Sequence, residues 1–570
     1  MAFRTYCYCI ISFLVGAGAF ADDNPASPSI FINQSAYVVG HSKIGLVSSS
    51  IALPFTVWNL QTESPVLRSQ LSLRAPSHAA SGLHVWQADF SIVDATGVYT
   101  IEVPGLGRSH PFSIVTSPPM SISQRALNAL YYLRNGAQYS KQIAGDWARN
   151  TQPIPAAFVH PPTAEPKEFP LRGGWHDGSD AGRYVPSGVY AAGVLLTLHE
   201  WLPYAFGDGS LSLPEAHNGA PDILDEARWE LEWLLTMQAS TDAVYHKATA
   251  LAPDQPEQTQ PYLFSPSTAS TAGACAVWAK ASRLYSPYDA TFSAQCLNAA
   301  VRAWQWLELT PNDGGFKNPT DVKTKAYSDS DDSDERLWAV VELRRALKDE
   351  RLDAVIAAMV EKRTPLLYAS GYWGDVMPLA AAAVLKATDI ETLGKLADDA
   401  RNDLSALADS LAEKTEQDGF LLTLKADEFT WGSNGAVLRN AIILLLAHLN
   451  KPTPRYYNAA LEQMNYLLGR NPVGMSYITG FGEASPQSPY QWQRYAGESK
   501  TPIPGFVVAG PNQSLNDGIL KANFSASSPP AAAYKDDPAS FSSNDFTIDW
   551  NAALVFVATV LSERLPLEDG

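Results

Sequence analysis

The chain has 570 residues, 46% of them hydrophobic and 18% charged, a balance that builds folded domains and excludes a disordered, collagen-like or coiled-coil chain. Its 41 Lys and Arg stand against 59 Asp and Glu, a formal charge of −18, which argues against nucleic acid as a partner and leaves neutral or cationic ligands open. At roughly 150 residues per domain, this length predicts three to four domains, or one large domain with a small companion.

In chain order, the N-terminus comes first. Arg4 precedes an apolar run from Tyr6 to Val15, and Ala19-Phe20-Ala21 closes the segment with small residues, the layout of a cleaved export signal over residues 1–21. That run is shorter than the roughly 18 apolar residues a membrane span needs, and no other stretch approaches that length. The expectation is an exported protein, periplasmic or secreted, without a membrane span after signal cleavage. Two cysteines remain beyond the signal, Cys275 and Cys296, read either as a disulfide or as two buried free thiols.

From Ser27 to Val115 the segments IFINQSAYV, KIGLVSSS, PFTVWNL, HVWQADFSI, GVYTIEV and HPFSIV are short, rich in β-branched and aromatic residues, and punctuated by Gly, Pro, Ser and Asp. They predict a small β-sandwich over residues 22–117. Thr116-Ser117-Pro118-Pro119 reads as a hinge into a helical domain over 118–570. Apolar residues at i, i+3, i+4 spacing predict helices near 121–135, 187–203, 221–238, 268–285, 290–307, 334–347, 351–362, 376–387, 392–412, 433–449, 455–468 and 548–563. Pro221 suits a first helical position and Ser433 an N-cap. Twelve helices fit a toroid of six hairpins, and by count alone a solenoid or a bundle as well. The stretches 150–185, 240–266, 310–333 and 470–547 lack periodicity, and long loops in a compact domain are where function concentrates.

Three such loops carry carboxylates. In Gly173-Gly174-Trp175-His176-Asp177-Gly178-Ser179-Asp180-Ala181-Gly182-Arg183-Tyr184, two aspartates three residues apart can hold and deprotonate a water, their repulsion raising the proton affinity of one. A calcium loop or a simple turn is the alternative, and Trp175 and Tyr184 read as a sugar platform or as core. Ser543-Asn544-Asp545-Phe546-Thr547-Ile548-Asp549 leads into the last helix, where Asp549 reads as a helix-start carboxylate. Ser328-Asp329-Ser330-Asp331-Asp332-Ser333-Asp334-Glu335 reads as a solvated loop or a hard-cation site. Phosphate-loop, dinucleotide and HExxH motifs are absent.

These segments resemble glycoside hydrolase family 9, over nearly the whole mature chain. GGWHDGSDAGRYV is similar to the family's GGWxDAGDxGKYV, and VYHKAT, SDERLWAVVEL, GYWGDV, FTWGSNGAV, LLGRNPVGMSYITGFGEASP and NDFTIDWNAALV follow colinearly. The resemblance implies a mainly α protein: an (α/α)6 barrel preceded by an immunoglobulin-like β-sandwich. In that sandwich Asn33, Gln34 and Tyr37 resemble the family's structural pattern, so it is expected to brace the barrel.

The implied activity is hydrolysis of a β-1,4-glycan with inversion, most simply as an endoglucanase on cellulose or a related β-glucan, with a polysaccharide or oligosaccharide substrate, no organic cofactor and a monomeric enzyme. Asp180 resembles the general base, Asp177 its water-orienting partner, and Asp545 stands where the family carries a Glu as acid. Aspartate reaches one methylene less, and a misplacement of about 1 Å in a catalytic group costs on the order of 10²-fold. His246, Trp373, Trp431, Tyr490 and Trp492 are expected to line the cleft with Trp175 and Tyr184, and Arg494 to replace an arginine of the family's Pro-His-His-Arg segment. Ser330, Asp331, Asp334, Glu335 and Asp375 match a family calcium set. Asn135 and Gln152 stand where some relatives bind zinc through Cys and His, so zinc is not expected. The altered acid leaves two alternatives: an exo-acting glycosidase on short or amino-sugar oligosaccharides, or a catalytically weakened carbohydrate-binding relative.

Overall fold

The computed structural model describes residues 26–150, 154–161, 167–255, 259–361, 367, 371–387, 390 and 393–563; the signal-like segment 1–21 and Gln152 lie outside them. The N-terminal sandwich packs two sheets. One has β1 (Ile30–Phe31), β3 (Ile44–Ser48), β7 (Val85–Asp89) and β6 (Ser72–Ala75) in that order, and the other runs β2 (Ala36–Val38), β10 (Phe112–Val115), β8 (Gly97–Val103), β4 (Pro54–Asn59), β5 (Ser64–Gln70), with β9 (Gly107–Arg108) beside β8. The stretch IFINQSAYV, expected as one strand, divides between the two sheets. Asn33 Oδ1 accepts the N–H groups of Ser35 and Ala36 at 2.8 and 3.2 Å, a side-chain turn that competes with strand pairing. The polar β5 and β6, largely exposed, lack the alternation that marked the others.

The sandwich is fastened to the rest. Asn33 Nδ2 donates to Asn465 Oδ1 at 2.8 Å, Gln34 Nε2 to the Gly474 carbonyl at 2.8 Å, and Ala484 N–H to Gln34 Oε1 at 2.9 Å. Tyr37 stays inside the sandwich, its hydroxyl on the Ile44 carbonyl.

Beyond residue 118 come α1 (Met120–Tyr131), α2 (Lys141–Ala144), α3 (Val185–Trp201), α4 (Asp222–Thr236), α5 (Thr268–Tyr285), α6 (Ala290–Leu309), α7 (Ser333–Leu347), α8 (Arg351–Val360), α9 (Met377–Leu385), α10 (Gly394–Gln417), α11 (Ser433–Asn450), α12 (Pro454–Leu467), α13 (Gly518–Asn523) and α14 (Ile548–Ser562). Every expected helix is present, and α2 and α13 are short turns inside loops. Helices α3, α5, α7, α9, α11 and α14 pack each on the next, and α14 closes on α3. This inner ring is buried nearly all round, as helices enclosed by a second layer must be. Helices α1, α4, α6, α8, α10 and α12 pack outside it, giving an (α/α)6 barrel.

Two helix starts differ from expectation. Pro221 is the extended residue before α4, and Gly432, at φ 81°, precedes α11. Ser433 lies inside that helix, and its hydroxyl donates to the Pro511 carbonyl at 2.8 Å, tying α11 to the 508–512 loop. Cys275 and Cys296 are buried free thiols, not a disulfide. Among the described residues no helix is long and apolar enough to cross a membrane.

Candidate active site

The loops that carry the carboxylates all precede inner-ring helices. Asp177 and Asp180 lead into α3, the 323–332 loop into α7, Trp373 into α9, Trp431 into α11 and Asp545 into α14. One end of the barrel therefore gathers the positive ends of its inner helix dipoles, a setting that favours anionic side chains. A small sheet sits beside it, with β12 (Arg183–Tyr184) antiparallel to β13 (Lys247–Thr249), which pairs β14 (Tyr262–Leu263) and through it β11 (Phe158–Val159).

The three expected catalytic aspartates are all buried and meet at this end. Asp177 Oδ1 accepts from the Ser187 hydroxyl at 2.6 Å, and its Oδ2 accepts from the Tyr327 hydroxyl at 2.7 Å and from Lys325 Nζ at 3.2 Å. Asp180 Oδ1 accepts from Gly182 N–H and Oδ2 from the Tyr184 hydroxyl, both at 2.9 Å. Asp545 Oδ1 accepts from Phe546 N–H at 2.9 Å, and its Oδ2 lies 3.6 Å from Lys325 Nζ. One ammonium thus bridges carboxylates from two distant loops.

Burial pushes the Asp180 carboxyl above the usual carboxylate range; Lys325 opposes this, and the Asp177 charge adds to it. Asp545 is likewise held up by burial, against Lys325 and a hydrogen bond from Ser179. Desolvation works against the Lys325 ammonium, but Asp177, Asp545 and Asp180 outweigh it and hold it well above the ordinary lysine range. Asp549, buried at the start of α14 with Thr547 Oγ1 donating to it, is pushed up to about 6 by that burial. These are conditions that can separate acid from base: carboxyls of one type, all desolvated, with unequal access to one cation.

Three expected cleft residues are corrected. Trp175 is fully buried, its backbone and indole N–H groups donating to Glu230 and Glu226. Tyr184 is buried against Asp180. His246 is buried and stacked on Phe316 with ring centroids 4.1 Å apart; its Nδ1 meets the Ser267 and Ser270 hydroxyls and its Nε2 the Ala326 carbonyl at 2.7 Å. None of the three presents a face to a sugar.

Trp431 is 41% exposed, 5.4 Å from Phe541 and 5.9 Å below Lys325 Nζ. Tyr490 also meets Phe541, at 6.1 Å, and its N–H donates to the Asn544 carbonyl. Trp373 is half-buried, edge-on to Tyr327 at 4.7 Å, and Trp492 is half-buried. Arg494 is drawn to the Gln255 carbonyl and to Gln491 Oε1.

The expected calcium set is gathered only in part. Asp331 is exposed and caps Ser333 N–H, the Ser330 carbonyl accepts from Asn312, and Asp375 Oδ1 accepts from Met377 N–H. Asp334 Oδ2 accepts from Val376 N–H. Buried oxygens of Asp329 and Glu335 have no hydrogen-bond partner. Among the described residues, as placed, no three His, Cys, Asp or Glu side chains form a metal cluster. Asn135 Nδ2 lies 3.3 Å from His176 Nε2.

Sequence reasoning missed Lys325, Tyr327 and Ser187. A lysine in the polar run Lys323-Thr324-Lys325 reads as surface, and only its position just ahead of the acidic segment set it apart. Lys247 Nζ donates to the Lys325 carbonyl at 2.7 Å and to Thr324 Oγ1 at 2.9 Å. With His246 on the Ala326 carbonyl, it fixes the backbone that carries Lys325.

The family model described as Glycosyl hydrolase family 9 matches residues 121–558, and that described as Cellulase N-terminal ig-like domain matches residues 25–108. A xyloglucan-specific endo-beta-1,4-glucanase of Bacteroides ovatus is 31% identical over 94% of this chain and 93% of its own. A cellulose 1,4-beta-cellobiosidase of Acetivibrio thermocellus is 30% identical over 94% of this chain and 67% of its own. The solved structure of a metagenome-derived glycoside hydrolase family 9 endoglucanase superposes with a TM-score of 0.84 at 32% identity, over 94% of this chain and 99% of that one.

His246 as a structural strut gives a test. Burial depresses it from 6.5 to about 3, so its neutral form stabilises the fold fully above the unfolded value, and that contribution is lost as pH falls from about 6.5 toward 3. Thermal melts across this range are expected to show His246→Gln less stable at neutral pH, with a weaker fall on acidification. Equal slopes for the two proteins would contradict the assignment.

Proposed function

The chain belongs to glycosyl hydrolase family 9, and from that premise we propose that it is an inverting hydrolase of β-1,4-glucans, acting internally on cellulose or a related glucan such as xyloglucan. The observation that carries the reading is the meeting of Asp177, Asp180 and Asp545 around Lys325 at the helix-start end of the barrel. Single displacement needs a carboxylate that takes a proton from water and a carboxylic acid on the opposite side that gives one to the departing oxygen. Asp180 takes the water proton as the water attacks the anomeric carbon. Asp177, held at both oxygens by Ser187, Tyr327 and Lys325, keeps the water and its neighbours in register. Asp545 protonates the glycosidic oxygen, and burial supplies the raised proton affinity this requires. Water and carboxyl groups suffice, so no organic cofactor takes part. Trp431, Phe541 and Tyr490 offer aromatic faces for sugar rings. In this reading the enzyme works as a monomer and meets its polymer outside the cytoplasm, which the signal-like N-terminus supports.

Reducing ends released from soluble β-glucan and xyloglucan test the reading, with a ladder of oligomers expected for internal cleavage and early dimer for end-on cleavage. Asp180→Asn is expected to lower the rate by on the order of 10³-fold or more. A wild-type rate in that variant would sink the assignment.

Lys325 generates a pH test. Its charge lowers the proton affinity of both Asp180 and Asp545. Removing it raises both, so the whole bell of kcat/KM moves to higher pH: the acidic limb follows the base and the alkaline limb follows the acid. With the side chain 31% exposed and partly screened, the shift expected for Lys325→Met is about one pH unit. A bell that loses height without moving would deny Lys325 this role.

For calcium, the fit rests on the unpartnered oxygens of Asp329 and Glu335. Burial first, then Asp334 and Asp329, push the Glu335 carboxyl far above its usual range. A hard cation drawn to the Asp329 and Glu335 carboxylates, with carbonyl or water oxygens completing its shell, would offset their burial and brace the loop before α7. Calcium is expected to raise Tm, chelator to reverse it, and Glu335→Ala to abolish the response; a melt indifferent to calcium in the wild type would count against it.

A further inference from the structure

The chain crosses itself at one point beside the carboxylates. Gly178, between Asp177 and Ser179-Asp180, pairs with Thr547 in a single antiparallel bridge, and Ile548 N–H donates to the Asp177 carbonyl at 2.8 Å. A Cβ built on Gly178 would stand 1.8 Å from the Phe546 carbonyl oxygen, 2.9 Å from that carbonyl carbon and 3.2 Å from Thr547 Cα. All three are backbone atoms, so no side-chain rotation relieves the overlap. The 545–548 segment is also held elsewhere: Ala509 N–H donates to the Asp545 carbonyl at 2.8 Å, and the Phe546 ring stacks on Phe506 at 4.3 Å. The Tyr495 hydroxyl pins the Gly178 carbonyl at 2.6 Å. Gly178 does not adopt a left-handed φ, so the position requires glycine for room and not for conformation.

The residue that follows from this contact is Asp545, whose side chain is one methylene shorter than glutamate. We propose that Gly178 is a positioning residue for the acid: the space left by its missing side chain lets the 545–547 backbone rest against the water-handling loop, and this close approach supplies the reach that the short Asp545 side chain lacks. The inference rests on the reading of Asp545 as the proton donor. Gly178 and Asp545 are then a matched pair in which a longer acid needs a more distant backbone. Adding a methyl at 178 must push the 546 carbonyl outward by an ångström or more, and a misplacement of about 1 Å in a catalytic group costs on the order of 10²-fold.

The experiment compares wild type, Gly178→Ala, Asp545→Glu and the double variant on soluble β-glucan and on dinitrophenyl cellobioside, whose leaving group departs without a proton. Each single change is expected to lower kcat on glucan by roughly 10- to 100-fold while largely sparing the activated substrate. The double variant is expected to recover to within about tenfold of wild type. A double variant no better than Gly178→Ala, or losses equal on both substrates, would overturn the proposal, since packing damage would do the same. Should Gly178→Ala fail to fold, Asp545→Glu in the native background still decides: a loss on glucan confined to the unactivated substrate supports the pairing, and a gain overturns it. Asp545→Asn separates the two levels, because wild-type kcat on glucan in that variant would remove Asp545 from the reaction altogether.

Discussion

Three aspartates buried together need a cation, and the ammonium of Lys325 between Asp177 and Asp545 meets that requirement. At an effective dielectric constant near 20, two unit charges about 4 Å apart interact by roughly 4 kcal/mol, so carboxylates crowded without a counter-ion would take up protons and lose their distinct roles. Lys325 opposes that repulsion at all three, touching Asp177 and Asp545 directly, while burial raises the proton affinity of Asp180 and Asp545. The balance leaves a site in which one carboxylate can accept a proton and another can carry one.

Much of the surrounding structure serves to hold that ammonium. Lys247 on β13 grips the Lys325 carbonyl, and His246 grips the next one. Antiparallel to β13 runs β12, whose Tyr184 carries the hydrogen bond to Asp180. Tyr327, two residues beyond Lys325, donates to Asp177. The small sheet and the loop before α7 therefore fix Asp180, Asp177 and Lys325 as one unit. Burial depresses Lys247 to about 7, which fits a lysine enclosed among aromatic rings and used for its hydrogen bonds.

Beneath this lies the closed ring of inner helices, whose starts converge on one end of the barrel. A second buried ionic network braces the ring away from the site: Lys280 on α5 meets Glu200 on α3 and Glu342 on α7, and Arg283 and Arg345 complete it. Three neighbouring helices are cross-linked by charges that would be costly if any one were left alone. The sandwich adds a brace from outside, through Asn33 and Gln34 and through Phe31 against Phe420 at 5.5 Å.

The sequence by itself determined the helices, the sandwich, the family resemblance and the aspartates of its motifs, because periodicity and motif spacing are local and survive without knowledge of contacts. It misjudged Trp175, Tyr184 and His246, since an aromatic or a histidine in a polar loop looks the same whether it faces a sugar or braces a backbone. It passed over Lys325, which meets Asp177 across 148 residues of chain, and it held no sign that Gly178 lies against Phe546. Burial, charge pairing and close backbone approach belong to pairs of distant segments. Only the tertiary structure, by bringing those segments into one low-dielectric space, decided which polar residues are struts, which one is the counter-ion, and where Asp545 comes to rest.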